Sequence, residues 1–289
     1  MTAHYFAGAN TADGFCDFFM NILPEELQKK VYYIKGGPGV GKSTFMRAIG
    51  EALEKNGYDV EYFHCSGDPD SIDGVAAPAI GAALMDGTAP HVCDPSIPGA
   101  RDTLVSLGDF LDVRMLSPYC DEIKSLNKTI GTHYKRAYRF FAAAAALAEP
   151  KAESCQLEFF GAKLRHLFLS AYTLKGKVEF ACPHKRLVSL NSAPSDAAEL
   201  MRHCKAATLF HNPLIPKNID SIYLPDSETL IVCKQSEPKG LCAEALRMAQ
   251  GELLAAKDLH DKLEAFYIKA CDFARVDKMR KKVEKAILA

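Results

Sequence analysis

The sequence predicts an α/β fold: a mainly parallel sheet with flanking helices, duplicated in tandem, with the second copy degenerate. Three observations predict it. Short apolar runs alternate with helical patterns through the first half. The stretch Gly36-Gly37-Pro38-Gly39-Val40-Gly41-Lys42-Ser43-Thr44 lies between one such run and one such pattern. Spaced residues of the first half recur, in order, in the second.

Taken along the chain, Thr11 reads as a helix N-cap. Phe15, Phe18, Phe19 and Ile22 follow on one face, and Pro24 ends that helix. Residues 31–34 read as a buried strand and residues 45–55 as a helix, with Gly57 just past its end. Residues 59–65 read as a second strand, followed by an acidic, turn-rich segment at residues 67–74. Residues 80–85 read as a third strand, ended by Asp86-Gly87. A proline-rich loop carries His91, Asp94 and Arg101. From about Asp109 to Ala148 the pattern is helical, in two long pieces broken near Pro118.

Residues 36–44 fit G-x-x-x-x-G-K-[ST], the phosphate-binding P-loop, and the strand before and helix after supply the context it requires. Glycines let the backbone curl so that successive N–H groups face one anion, and the helix N-terminus adds positive potential. Lys42 is placed to reach the β- and γ-phosphates, projecting into solvent while the loop is empty. Ser43 offers its hydroxyl to Mg²⁺. The fold class sharpens to a P-loop NTPase fold, with Gly36, Gly37, Pro38, Gly39, Val40, Gly41, Lys42, Ser43 and Thr44 as the nucleotide-binding set.

The internal repeat places two domains at 1–155 and 156–289. His4, Phe6, Ala9, Thr11 and Gly14 recur with identical spacing as His166, Phe168, Ala171, Thr173 and Gly176. Phe63-His64, Ile72-Asp73 and Pro78 recur as Phe210-His211, Ile219-Asp220 and Pro225. Tyr134, Ala137 and Phe140 recur as Tyr267, Ala270 and Phe273, in two helices. The counterpart of the P-loop has lost its chemistry. Matching Met46-Arg47 to Met201-Arg202 sets residues 192–198 in its place. That segment has no glycine, Ala197 stands for Lys42, and Asp196 would repel a phosphate. One nucleotide site per chain is expected, with the second half packing on the first or covering its site.

Among the acids, Asp86 best fits a Mg²⁺-holding carboxylate, because Ala82-Ala83-Leu84-Met85 precedes it as an apolar strand. The plainer reading is a turn-forming Asp-Gly. Asp68 and Asp73 could hold water or substrate, or be ordinary loop acids; Asp94 is a weaker candidate. His64 and His91 are possible acid/base groups, but His64 and His4 recur as His211 and His166 in the half without a P-loop, which favours packing roles. Lys135, Arg136 and Arg139 are either a solvated helix face or the source of an arginine finger. Residues 275–285 read as an exposed amphipathic helix end.

The bulk composition narrows the setting. The chain has 289 residues, 48% of them hydrophobic, enough for a real core. A net charge of −1 gives no footprint for nucleic acid or an anionic membrane. Ten cysteines without a C-x-x-C pair point to reduced thiols rather than a metal site. No signal peptide and no membrane span is read, so a cytoplasmic location is expected. No protein partner can be named.

These motifs together resemble a bacterial family of tandem P-loop proteins, generally described only as ATP-binding proteins or ATPases. The resemblance rests on residues 4–14, on residues 36–44, and on Phe63-His64-Cys65 followed by Asp68-Pro69-Asp70-Ser71-Ile72-Asp73-Gly74. It extends through Asp86-Gly87-Thr88-Ala89-Pro90-His91 and Lys135-Arg136-Ala137-Tyr138-Arg139. It implies ATP as the ligand and a P-loop in each half, from which this chain departs in its second half. The function expected is a Mg²⁺-dependent ATPase with one active site. Lys42 and the loop amides bind phosphates, Ser43 and Asp86 hold Mg²⁺, and one acid at or near Asp68 orients the nucleophile. A small-molecule or nucleotide kinase is the alternative within enzymes, and a non-catalytic ATP-dependent switch or scaffold the alternative outside them.

Overall fold

The computed structural model describes residues 2–148, 159, 161–190, 194–233 and 237–289. In the first half the elements are β1 (Ala3–Tyr5), β2 (Gly8–Thr11), β3 (Gly14–Asp17), β4 (Lys30–Lys35), α1 (Lys42–Lys55), β5 (Glu61–His64), β6 (Ile72–Ala77), β7 (Ala82–Asp86), β8 (Asp102–Ser106), α2 (Val113–Leu116) and α3 (Cys120–Leu147). In the second they are β9 (Lys163–Leu167), β10 (Ser170–Thr173), β11 (Gly176–Glu179), β12 (Arg186–Ser189), α4 (Pro194–His203), β13 (Ala206–His211), β14 (Ile219–Leu224), β15 (Thr229–Val232), α5 (Gly240–Ala270) and α6 (Phe273–Leu288).

The first sheet has the order β1-β5-β6-β7-β4-β8, and only β6 runs against its neighbours. The protein is therefore mixed α/β with a mostly parallel central sheet. The second sheet, β12-β15-β14-β13-β9, repeats the order and sense of β4-β7-β6-β5-β1. The register repeats as well. His4 pairs with Tyr62 as His166 pairs with Leu209, and both sheets shift register at the same step, Phe63/His64 and Phe210/His211. β8 has no counterpart among the described residues. The boundary expected near residue 155 lies outside the described residues, as do Ser192 and Ala193.

Alternation along the strands sorts apolar residues to two faces. One face of the first sheet carries Tyr32, Ile34, Tyr62, Val75 and Leu84, packed against Phe45, Met46 and Ile49 of α1 and Val276, Val283 and Ile287 of α6. Residues 275–285 thus pack one face into this core through Val276 and Val283 rather than being only an exposed end. The other face carries Tyr5, Val31, Tyr33, Phe63 and Met85. It meets Phe19, Ile22 and Leu23, and then Leu167, Phe210 and Leu230 of the second sheet. The flanking helices expected from the sequence cover the first of these faces; the second half of the chain covers this one. Arg165, half-buried between the halves, donates to the Asn21 and Ile22 carbonyls and forks onto Glu61 at 2.7 and 3.0 Å.

The N-terminal helix expected at Thr11 is a β-hairpin, β2–β3. The Thr11 hydroxyl accepts the Asp13 N–H and donates to the Gly14 carbonyl, closing a turn, and Gly14 takes a left-handed φ of 104°. Tertiary contact selects it. Phe18 reaches across to the rings of His166 and His211, and the equivalent Phe180 reaches back to His4 and His64. At the centre Phe6 and Phe168 exchange N–H···O bonds of 2.9 and 3.0 Å. β6 and β8 were not read from the sequence, and α2 is one turn where a long helix was expected. Among the described residues no helix is long and apolar enough to cross a membrane.

Candidate functional site

β4 ends at the carboxyl edge of its sheet, and residues 36–41 link it to the N-terminus of α1. Gly39 and Gly41 take left-handed φ values of 70° and 86°, which L side chains rarely adopt. Val40 turns inward and is fully buried, so the loop is anchored to the core through it. The Phe45 N–H reaches the Gly41 carbonyl at 2.8 Å, which starts the helix.

Lys42 does not project into solvent as expected. Its Nζ donates to the Gly36 and Gly37 carbonyls at 2.9 and 3.0 Å and lies 3.6 Å from Asp86 Oδ2. The two side chains are only 13% and 10% exposed. β7 lies parallel beside β4 with Asp86 opposite Ile34, which sets this carboxylate at the strand end next to the loop. Asp86 Oδ1 accepts the Thr88 N–H at 2.8 Å, and the Thr88 hydroxyl donates to the Gly36 carbonyl. Ser43 Oγ accepts the Ile72 N–H at 2.8 Å, which leaves its hydrogen and one lone pair free. Thr44 is exposed and Pro38 half-buried.

Because β6 is antiparallel, its first residues lie at this same edge and deliver Asp73 to the site. Burial pushes the Asp73 carboxyl up to about 6. His91 pulls it down, Asp86 raises it, and the Cys65 thiol bond and Lys42 lower it. Burial likewise holds the Cys65 thiol well above its ordinary value. His91, stacked on Phe19 at 4.2 Å, is itself buried. Its Nδ1 lies 3.0 Å from the Asp86 carbonyl, which can only accept, so Nδ1 carries the proton and Nε2 faces Asp73 Oδ2 at 3.7 Å. Asp73 and His91 thus face each other beside Lys42 and Asp86.

Asp68 is engaged differently. It accepts the Asp70 N–H at 3.2 Å in its own turn and pairs with Lys257 of α5 at 3.7 Å. Asp94 pairs with Lys35 at the surface. Lys135, Arg136 and Arg139 all face solvent. His64 has a packing role. Its Nδ1–H donates to the Pro69 carbonyl at 2.6 Å, so its Nε2 accepts from His4 at 2.9 Å; burial brings its pKa down to about 4. His211 and His166 repeat this arrangement on the Pro216 carbonyl.

In the second half α4 already begins at Pro194, with Asp196 in its first turn and Ala197 buried. Sequence reasoning missed the neighbours that α5 brings to this edge, Lys257 beside Asp68 and Glu264, Tyr267 and Ile268 against Gly37 and Gly39. Their only local signal is a stripe at helical spacing: Lys257, His260, Asp261, Glu264, Tyr267, Ile268. Nine of the cysteines lie among the described residues, and no disulfide joins any two of them. No protein-family model, no curated protein and no solved structure matches the chain.

Proposed function

We propose that the chain binds ATP with Mg²⁺ at residues 36–44 and hydrolyses it at this one site. One observation carries the reading: a loop with two left-handed glycines joins a central parallel strand to a helix N-terminus, its lysine buried against the carboxylate that ends the adjacent strand. Helix N-termini and curled glycine backbones favour phosphate, and open α/β sheets bind ligands at this edge. On this reading the fold is a P-loop NTPase fold in tandem duplication. The equal order and register of the two sheets support that, as does the resemblance to tandem P-loop ATP-binding proteins.

Ser43 and Asp86 would hold Mg²⁺: Ser43 Oγ keeps a free lone pair, and Asp86 is a buried carboxylate facing the loop lysine. The metal would supply positive charge there to offset that of the phosphates. The Asp73–His91 pair is the proton acceptor for an attacking water, since a carboxyl near 6 sits close to working pH. On this reading it serves in place of Asp68, whose carboxylate accepts the Asp70 N–H within its own turn. The contact of α5 with the loop favours a second reading, a switch in which nucleotide sets the packing of the halves. Phosphate release with Mg-ATP decides between them. Steady turnover supports the ATPase, and tight binding with no turnover supports the switch. A metabolite that raises turnover would make it a kinase.

A further inference from the structure

Helix α5 belongs to the second half of the chain but crosses the carboxyl edge of the first sheet. Lys257, His260, Asp261, Glu264, Tyr267 and Ile268 recur at three- and four-residue steps and so share one face. From Lys257 to Ile268 the helix rises roughly 16 Å, enough to reach from the turn after β5 to the loop after β4. At the loop end, a Cβ on Gly37 would meet the Tyr267 ring at 2.8 Å. One on Gly39 would meet the Glu264 carbonyl at 2.9 Å and Ile268 at 3.0 Å. At the other end, Lys257 Nζ pairs with Asp68 at 3.7 Å and more closely with Asp261. Between them, burial first holds His260 below its ordinary value; Glu264 opposes this, Lys257 adds to it, Asp261 opposes it, and Lys42 adds a smaller part. α3 closes the same edge, with the Tyr134 hydroxyl 3.0 Å from where a Gly67 Cβ would be.

We propose that Lys257 is a second phosphate-binding cation, supplied to the first half's site by the second half, and that it reads the terminal phosphate of a nucleoside triphosphate. The inference rests on the nucleotide reading above. Asp68 holds the ammonium at 3.7 Å, beyond hydrogen-bond length, on a flexible four-carbon stem. A terminal phosphate carries more charge than one carboxylate and offers three acceptor oxygens, so Lys257 exchanges Asp68 for it while keeping Asp261. A diphosphate lies one phosphoryl group short and leaves the Asp68 pair intact. Lys257 therefore discriminates triphosphate from diphosphate, where Lys42 serves both. The exchange also gives the degenerate half a working role: it links nucleotide state to the seating of α5 on the loop.

The test is titration calorimetry of Mg-ATP and Mg-ADP on the full chain, comparing wild type, Lys257→Gln, Lys257→Arg and Lys42→Met, with thermal melting as a check of folding. Lys257→Gln should weaken ATP at least tenfold while ADP stays within about twofold, and Lys257→Arg should keep most of the ATP preference. Lys42→Met should weaken both nucleotides. If Lys257→Gln leaves the ATP-to-ADP ratio at the wild-type value, the proposal is overturned, whether both affinities hold or both fall together through a loosened α5. Wild type that binds neither nucleotide overturns the proposal and the nucleotide reading with it; wild type that binds both with an unaltered ratio in the variant overturns the proposal alone.

Discussion

Replacing Lys42 by methionine should unsettle the fold as well as the ligand site. Methionine keeps the length of the stem and deletes the charge. In the native protein that charge lies 3.6 Å from Asp86, and the side chains are 13% and 10% exposed. At an effective dielectric near 20 such a pair attracts by about 4 to 5 kcal/mol, and removing one member of a buried pair costs about 3 to 5 kcal/mol. Asp86 keeps the Thr88 N–H at 2.8 Å, which favours the lower figure, about 3 kcal/mol. In a chain of this size that corresponds to a fall in Tm of roughly 6 to 12 °C. The assay is thermal and urea unfolding of Lys42→Met, Asp86→Asn and the double variant. Asp86→Asn removes the stranded carboxylate, so the double variant should recover about half of the loss, a coupling of roughly 1.5 kcal/mol or more. Full additivity, or a Lys42→Met protein as stable as wild type, would refute the buried-pair argument. ATP affinity should fall at least tenfold in Lys42→Met, about 1.4 kcal/mol.

Three further predictions follow from the same geometry. Asp86→Asn should abolish turnover while nucleotide still binds in the absence of metal; normal turnover in that variant, with loss in Asp68→Asn or Asp94→Asn, would show that another carboxylate serves the metal. Calorimetry should count one ATP per chain, because α4 starts with a proline and carries a carboxylate where the cradle would have to be; a count of two in a monomer contradicts this. Stability should depend on pH through two groups of opposite sign. Asp73, raised by burial to about 6 from 3.8, stabilises below 3.8, and that contribution is lost as pH rises through 6; His64, lowered by burial to about 4 from 6.5, stabilises above 6.5, and that contribution is lost as pH falls through 4. Asp73→Asn should therefore gain Tm over wild type at about pH 8 relative to about pH 4, and His64→Gln should flatten the loss on acidification from about pH 7 to about pH 5. Parallel melting curves for variants and wild type across that range would count against both assignments.

The loop, its flanking strand and helix, and the strands ending at His64 and Asp86 were legible because each is decided within a few residues: glycines at positions of positive φ, an apolar run, a turn after it. The repeat was legible from spacing alone, and its offsets became the shared register of the two sheets. What the sequence could not decide was which partner each apolar face would meet. The spacing of Phe15, Phe18, Phe19 and Ile22 suits a helix, yet the segment is a hairpin followed by a short turn, because Phe18 packs beside His166 and His211, roughly 150 and 190 residues away in the chain. Residues 72–77 hide a strand behind turn-forming Asp73 and Gly74, and only its pairing between β5 and β7 brings Asp73 to His91. Lys257 was invisible for the same reason. Backbone preference acts locally, but the position of the Lys257 charge beside Asp68 is set by how a helix from the other half packs, and that packing is a property of the whole folded chain.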